Sequence, residues 1–249
     1  MTSAKKYAKH LEIDPVLKVL FFVGFVAERL AAFAEPVITH GPGLRRSRAL
    51  AENFFTRLKV RFSEETTCSE SECRAWIAQA ATESVHLDAA FEKEKNGFMT
   101  FTVLLQRDPG WWLFNLGPNL VLHVTPSKLS QLLVPHSGTQ QAIEKGISRE
   151  KAMDLAGSIT AAVVPGVDFE SQIRFASAQL QPGEWLLVAP ESKGILDVRP
   201  PGHPVALGDI QRMIDQLAAP YAQFTRSWLA IGREGASEAL DNPTGGSPI

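Results

Sequence analysis

The chain has 249 residues, of which 45% are hydrophobic and 21% are charged, and its formal net charge is −2. This composition is typical of a soluble globular protein with enough apolar residues for one large core or two small ones. The near-neutral charge argues against nucleic acid or an anionic membrane as a partner.

The N-terminal part predicts a flexible segment followed by a buried strand. Residues 1–14 are polar and are expected to be irregular. The next segment, Val16 to Ala27, contains the run VLFFVGFVA, which is much shorter than the 18 or so apolar residues of a membrane span. Charged Glu28 and Arg29 interrupt it, so a buried strand is favoured over a signal peptide. We therefore expect a cytoplasmic protein.

Two helices are predicted next. After a turn region that begins at Pro36, apolar residues at spacings of three and four predict a helix over 44–62. Ser69 and Glu72 form the pattern of a capping box, which predicts a second helix up to about Lys95. The first helix is basic, which usually marks a solvated face but is also typical of a docking surface for an acidic or phosphorylated partner. Its cations are Arg45, Arg46, Arg48, Arg57, Lys59 and Arg61.

The two cysteines, Cys68 and Cys73, lie close together in the sequence. No histidine flanks them at a spacing typical of a zinc site, and two thiols alone do not make one. We expect free thiols in a reducing compartment, with a redox pair or a metal site as the alternatives.

The second half of the chain predicts an antiparallel meander followed by mixed helices and strands. The meander comprises 98–106, 111–116 and 120–124, joined by turns that contain proline and glycine. Helices are expected at 140–145, after Ser148 and at 207–217, and strands at 158–163, 171–178, 184–189 and 224–231. This pattern predicts an α+β fold with a single domain over 15–233 and a disordered tail over 234–249.

Five consecutive segments resemble the metal-dependent serine/threonine protein phosphatases of type 2C. In order they are GFMTFTV (97–103), WLFNLGPNLVL (112–122), LSQLLVPHS (129–137), AIEKGISREKA (142–152) and LQPGEWLLVA (180–189). The second stands where that family has ANVGDSRAYL, the third resembles LTQLTEDHS, and the last resembles LQPGDRLLLCSDG. Their unbroken order over about 97–233 makes the resemblance more specific than any one segment.

The resemblance implies a four-layer α-β-β-α sandwich, in which two antiparallel sheets are flanked by helices. It also implies a site between the sheets where two Mn²⁺ or Mg²⁺ ions activate a water that attacks a phosphoester. Two close dications repel each other unless several carboxylates surround them.

The sequence departs from the family at these metal ligands. Phe25, Asn119, Glu191 and Gln223 stand at four places where the resemblance implies aspartates, and only Glu191 is a carboxylate. The family's phosphate-binding arginine and N-terminal acid pair have no counterpart either. We therefore predict no catalytic residue, no metal ligand and no cofactor.

These observations favour a pseudophosphatase that acts as a regulatory or scaffold protein. Its expected partner is a phosphoprotein, a serine/threonine kinase or a subunit of a larger assembly. One alternative is an active hydrolase or phosphatase with a site rebuilt around Glu191, and weak residual phosphatase activity also stays open. Another is a plain α+β interaction module whose strands would not form two stacked antiparallel sheets.

Overall fold

The computed structural model describes residues 5–9, 23–26, 29–38, 44–64, 67–86, 97–164, 166–218 and 228–233. Within these residues the strands form two antiparallel five-stranded sheets. Sheet A has the order β1 (Lys5–Lys9), β10 (Trp228–Arg233), β9 (Glu184–Ala189), β6 (Leu120–Val124) and β7 (Leu129–Gln131). Sheet B has the order β2 (Val23–Val26), β3 (Leu30–Ile38), β4 (Gly97–Arg107), β5 (Gly110–Leu116) and β8 (Arg174–Ala178).

Helices and short 3₁₀ segments connect these strands. The helices are α1 (Leu44–Glu64), α2 (Glu70–His86), α3 (Gly138–Glu144), α4 (Arg149–Ala152) and α5 (Leu207–Ala218). The 3₁₀ segments are Met153–Leu155, Glu170–Gln172 and Lys193–Leu196. In the part of the chain that the structure describes, no helix is both long and apolar enough to cross a membrane.

Three buried apolar clusters hold the four layers of the fold together. Helices α1 and α2 cover the outer face of sheet B, where Phe54 and Leu58 of α1 join Phe101 and Phe114 in one buried cluster. Because side chains alternate along a strand, the other residues of β4 and β5 face inward. There they pack against sheet A in a second cluster, which includes Phe33, Leu104, Leu113, Val121, Leu186, Val188 and Ile231.

Helix α5 supplies the fourth layer, on the outer face of sheet A. Its residues Ile210, Met213 and Ile214 share one side of the helix and pack in a cluster with Trp185 and Leu187 of β9. The indole Nε1–H of Trp185 donates to the carbonyl of Val205, 2.7 Å away, so the polar atom of this buried ring is satisfied. The four-layer sandwich of two antiparallel sheets flanked by helices is therefore confirmed.

The capping box at the start of α2 is also confirmed, and it brings the cysteines together. The Ser69 N–H donates to Glu72 Oε2 over 2.8 Å, and the Glu72 N–H donates to Ser69 Oγ over 3.3 Å. Cys68 and Cys73 flank this box at the two positions that meet in a hydrophobic staple. They form a disulfide, so the expectation of free thiols is wrong. The start of α2 brings the residue before the cap next to the fourth helical residue, so the two thiols are neighbours in space as well as in sequence.

The predicted meander is wrong in its last step. Strands β4 and β5 form a hairpin, but β6 pairs with β7 and β9 in sheet A. Residues 117–119 therefore carry the chain from one sheet to the other. A proline-glycine turn signal marks a change of direction, but it does not say which sheet the next strand joins.

Three further differences concern strands. The predicted turn at Pro36 lies inside β3, where Pro36 pairs with Met99 of β4. Among the described residues the pairing of β3 with β2 extends only to Ala34. Proline is tolerated in a strand where one side carries no ladder hydrogen bond. The predicted strand at 158–163 is reduced to isolated bridges at Ile159 and Val163. Within the N-terminal segment expected to be irregular, Lys5–Lys9 forms β1 and pairs with β10.

Other predicted bounds shift or fall outside the described residues. Helix α2 ends at His86, and 87–96 of the predicted longer helix are not described. Of the first predicted strand, Val23–Val26 is described, and the predicted tail at 234–249 is not.

Gly117, at the crossing between the sheets, provides a test of this architecture. Its φ is 132°, and a Cβ there would clash with Thr100, lying 2.8 Å from Thr100 Cγ2. We expect Gly117→Ala to lower the free energy of unfolding by about 3 kcal/mol or more, because backbone strain and overpacking add. Urea unfolding followed by circular dichroism measures this.

Gly146→Ala is the matched control. Gly146 also has a positive φ, of 85°, but a Cβ there would meet nothing within 4 Å. It should cost only the backbone term, about 1 kcal/mol. Equal losses in the two variants would contradict the close approach at Gly117.

Candidate functional site

Two of the positions at which the sequence departs from the phosphatase pattern lie at one end of sheet A. Leu120 at the start of β6 pairs with Ala189 at the end of β9. Asn119 therefore immediately precedes the paired segment, and Glu191 follows it by two residues. Antiparallel pairing brings these two side chains to the same edge, and both are buried.

Glu191 is held by residues of the segment that follows β7. Glu191 is only 6% exposed, and its Oε1 accepts a hydrogen bond from Ser137 Oγ over 2.9 Å. The Gly157 N–H donates to Oε2 over 3.3 Å. Ser137 Oγ also caps α3, because it accepts a hydrogen bond from the Gln140 N–H over 3.2 Å. The Glu191 carboxyl thus joins the end of β9 to the start of α3 and to the turn before Ser158.

The Glu191 cluster, which we define as Glu191, Ser137, Thr139 and Gly157, changes the acidity of the carboxyl. Burial raises the pKa of Glu191, and the hydrogen bonds from Ser137, Thr139 and Gly157, together with the charge of Arg149, offset only part of that rise. The Thr139 hydroxyl makes no hydrogen bond of standard geometry with a described residue, so its contribution is weaker than that of Ser137. Loss of the proton from Glu191 is therefore harder than from a solvated glutamate.

Asn119 lies in a second buried polar group, between the sheets. Its Nδ2–H donates to Thr102 Oγ1 over 3.3 Å, and the Thr102 hydroxyl donates to Asn115 Oδ1 over 2.7 Å. Asn115 Nδ2–H in turn donates to the Gly117 carbonyl over 3.1 Å. The Asn119 Oδ1 is buried and has no hydrogen-bond partner among the described residues. The amide therefore ties sheet A to β4 and β5 of sheet B.

These donor sets do not fit the two-metal centre that the resemblance implies. Asn119 offers one neutral amide oxygen, and both carboxyl oxygens of Glu191 already accept hydrogen bonds from the chain. Among the described residues no group of three or more His, Cys, Asp or Glu could hold a metal ion. Two dications need more negative charge than one buried carboxyl provides.

The remaining predicted metal positions are less fully described. Phe25 lies in β2, where its backbone pairs with Ala32 of β3. The neighbouring Gly24 pairs with Phe33 of β3. Phe33 pairs with Thr102 of β4, and Thr102 pairs with Asn115 of β5, so these four residues form one row across sheet B. Gln223 lies outside the described residues.

The basic segment of α1 divides into two parts. Arg57 forms an ion pair with Glu83, and the Arg61 guanidinium lies 4.3 Å from the ring centroid of Trp76, so both residues fasten α1 to α2. Lys59 is exposed. Arg45, Arg46 and Arg48 lie on the first turns of α1, and their side chains are outside the described set. A role for these cations in partner binding stays a prediction.

His136 supports the crossing between the sheets. The backbone N–H of Gly117 donates to the ring Nδ1 of His136 over 3.3 Å, and the backbone N–H of His136 donates to the Gly117 carbonyl over 2.8 Å. Burial lowers the pKa of His136 and the charge of Arg174 adds to this, whereas backbone hydrogen bonds to Gln172 and Gly117 oppose it. A neutral imidazole that accepts from a backbone amide is a structural group here.

The sequence did not identify the partners of Glu191. Ser137 stood within the resembling segment LVPHS, and its place before a predicted helix was the signal that could have marked it as a cap. Nothing local indicated that Gly157 donates to a carboxyl 34 positions further along the chain.

The sandwich has close structural counterparts among solved proteins. Stp1 from Staphylococcus aureus, a serine/threonine phosphatase, matches with a TM-score of 0.68 at 15% identity, over 94% of this chain and 96% of that one. PstP from Mycobacterium tuberculosis matches with a TM-score of 0.65 at 13% identity, over 93% and 98%. PppA from Pseudomonas aeruginosa matches with 0.59 at 15% identity, over 92% and 96%.

This chain has the PPM-type phosphatase fold. The likeness covers nearly the whole length of both partners, and it confirms the type 2C resemblance at the level of fold. No protein-family model and no curated protein matches the sequence. The two stacked sheets also show that the interpretation as a module without such stacking is wrong.

The raised pKa of Glu191 predicts a pH-dependent stability. Below its ordinary pKa of 4.5 the carboxyl is protonated in both folded and unfolded chains. As the pH rises from there through the higher folded pKa, the unfolded state ionises first, so the free energy of unfolding falls. The Gln side chain of Glu191→Gln cannot ionise, so the free energy of unfolding of this variant should rise relative to that of the wild type over this pH range. Urea unfolding at intervals from pH 4 to pH 8 measures the difference.

Glu150→Gln, which removes an exposed carboxylate, is the control for the general effect of one charge. A stability difference between wild type and Glu191→Gln that is the same at every pH would contradict the raised pKa.

Proposed function

We propose that this chain is a catalytically inactive relative of the PPM phosphatases that works by binding a protein partner. The observation that carries the proposal is the state of Asn119 and Glu191, which stand where the resemblance implies metal-binding aspartates. One is an amide, and the other is a buried acid whose two oxygens accept hydrogen bonds from the chain itself.

The chemistry of phosphoester hydrolysis in this fold explains why the two replacements matter. The PstP catalytic domain, another structural neighbour, was solved in complex with two manganese ions. Two such ions polarise the phosphate and lower the pKa of the attacking water, and they require several carboxylates within reach. A neutral amide and a single glutamate do not supply that charge, and the Glu191 cluster contains no second acid.

The alternative hydrolase, with a site rebuilt around Glu191, needs titratable groups that converge on that residue. The direct hydrogen-bond donors to its carboxyl are the Ser137 hydroxyl and the Gly157 amide. Neither titrates in the range of an acid or base catalyst, and Ser137 is occupied as the cap of α3. No observation on the described residues favours that alternative.

The proposed partner is a phosphoprotein, a serine/threonine kinase or a subunit of an assembly in the cytoplasm. The exposed Lys59 and the three arginines at the start of α1 provide positive charge that suits an acidic or phosphorylated surface. One structural neighbour, PppA, is described as a key regulatory component of a T6SS, so the fold has a member in a regulatory setting.

The first test measures catalysis. Purified chain incubated with Mn²⁺ and p-nitrophenyl phosphate should release no more p-nitrophenol than buffer with Mn²⁺ alone, because no group of acids among the described residues could hold the ions. An active PPM phosphatase in the same assay is the positive control. Metal-dependent turnover that Glu191→Ala abolishes would overturn the proposal.

The second test measures partner binding by the start of α1. Reversal of charge at Arg45, Arg46 and Arg48 to Glu should lower recovery of the bound partner in affinity capture from native lysate at least about fivefold, because electrostatic complementarity is lost. Quantitative mass spectrometry of the captured proteins provides the measurement.

The matched control reverses three exposed lysines elsewhere, Lys128, Lys145 and Lys151. A protein that is lost with the α1 variant and kept with this control depends on the predicted surface. Equal losses with both variants would argue that net charge alone, not the start of α1, governs capture.

A further inference from the structure

Two sulfur atoms and a guanidinium meet where α2 begins and β4 ends. Arg107 Nη2 lies 2.6 Å from Cys68 Sγ and 3.6 Å from Cys73 Sγ, and the two cysteines are bonded to each other. The Arg107 guanidinium also lies 5.6 Å from the ring centroid of Trp112, which limits its movement. A group built from three different stretches of the chain is therefore held together on the outer side of sheet B.

The start of α2 brings the two cysteines close together, independently of the bond between their sulfurs. The capping box fixes Ser69 and Glu72 by two reciprocal hydrogen bonds. This geometry places the residue before the cap next to the fourth residue of the helix, whichever side chains stand there. Arg74 adds a second anchor, because it donates to the Ile173 carbonyl and pairs with Glu70. These hydrogen bonds hold the backbone of Cys68 and Cys73 close together without requiring the bond between the sulfurs.

The surroundings favour a negative charge on sulfur. The Arg107 guanidinium lies beside Cys68 Sγ, and the charge of Arg29 is near enough to lower the pKa of Arg107 together with burial, so two cations act on this end of the site. A nearby positive charge favours the ionised form of a thiol. The N-terminal end of α2 adds a partial positive charge on the same side. The thiolate is the form of cysteine that attacks disulfides, and such surroundings are those that raise its fraction.

The two cysteines differ in access to solvent. Cys73 is completely buried in the cluster between α1, α2 and sheet B, whereas Cys68 is partly exposed. A small molecule can therefore reach Cys68 first, and Cys73 lies within bonding distance to react next. This division suits an attacking thiol and a resolving thiol.

We propose that Cys68 and Cys73 form a reversible redox site that exchanges with low-molecular-weight disulfides of the glutathione class, with Arg107 as the positioning residue for the Cys68 thiolate. The site is independent of the proposed function, because it lies away from the Glu191 cluster and needs no phosphate chemistry.

The exchange balances in two steps. The Cys68 thiolate attacks one sulfur of the glutathione disulfide, whose S–S bond breaks, so that a Cys68–glutathione mixed disulfide forms and one glutathione thiolate leaves. Cys73 then gives its proton to solvent and attacks the Cys68 sulfur, which releases the second glutathione thiolate and forms the Cys68–Cys73 bond. The protein loses two electrons, and the glutathione disulfide gains them.

The full chain tests the first part directly, because it contains only two cysteines. Equilibration in buffers of increasing glutathione disulfide, followed by alkylation and intact mass spectrometry, should convert a doubly alkylated species into an unmodified one. Cys73→Ser should stop at one bound glutathione. Full alkylation of the wild type at every ratio would overturn the proposal, and so would a Cys73→Ser chain that binds no glutathione.

The role of Arg107 is tested on Cys68 alone. In the Cys73→Ser background, Arg107→Gln should slow alkylation of Cys68 at neutral pH about tenfold, since a charge-assisted hydrogen bond to the thiolate is lost. Lys145→Gln, which removes an exposed charge just after α3, should leave the rate within about twofold. Equal rates in all three chains would remove Arg107 from the proposal.

Unfolding would instead expose Cys68 and speed its reaction, so circular dichroism accompanies each variant. Arg107→Lys keeps the charge without the planar fork and should give an intermediate rate if Arg107→Gln does not fold. In the wild type, addition of dithiothreitol should lower the melting temperature by a few degrees, since the cross-link no longer restricts the unfolded chain. An unchanged melting temperature would contradict a bond that forms and breaks in the folded protein.

Discussion

The chain must leave sheet B and enter sheet A within three residues, and the rest of the sandwich depends on how it does so. Strand β5 ends at Leu116 and β6 begins at Leu120, so the backbone between them crosses the buried space between the two sheets. Buried amides and carbonyls there need partners. Gly117 finds them in His136 and Asn115, and Asn119 reaches Thr102. The crossing therefore fixes the position of His136, and with it the start of α3.

That constraint explains how Glu191 is used. Because His136 is pinned to Gly117, the next residue, Ser137, begins α3 beside the end of β9 and meets the Glu191 carboxyl. A buried carboxyl without donors would be costly, but here a hydroxyl and a backbone amide satisfy it. The position that the phosphatase pattern gives to a metal ligand thus holds α3 and the turn at Gly157 onto sheet A.

The features that the sequence predicted are those encoded within one element. The spacing of apolar residues located α1 and α5, the run of Trp185 to Ala189 located β9, and Ser69 with Glu72 located the start of α2. What it missed depends on partners distant in the chain. The turn at Gly117 has the same local signal whether β6 stays in sheet B or leaves it. The contact of Glu191 with Gly157 has no local signal at all.

The two proposals concern separate parts of one framework, and this separation has a physical basis. The α1–α2 layer is attached to sheet B by its buried apolar face, and Arg57 and Arg61 join its two helices at the surface. The Glu191 cluster lies instead at the end of sheet A, beyond the inter-sheet core. Between the sheets, Asn119, Thr102 and Asn115 form a row of hydrogen-bonded neutral groups. The outer surfaces of the sandwich can vary in binding and chemistry without disturbing this row.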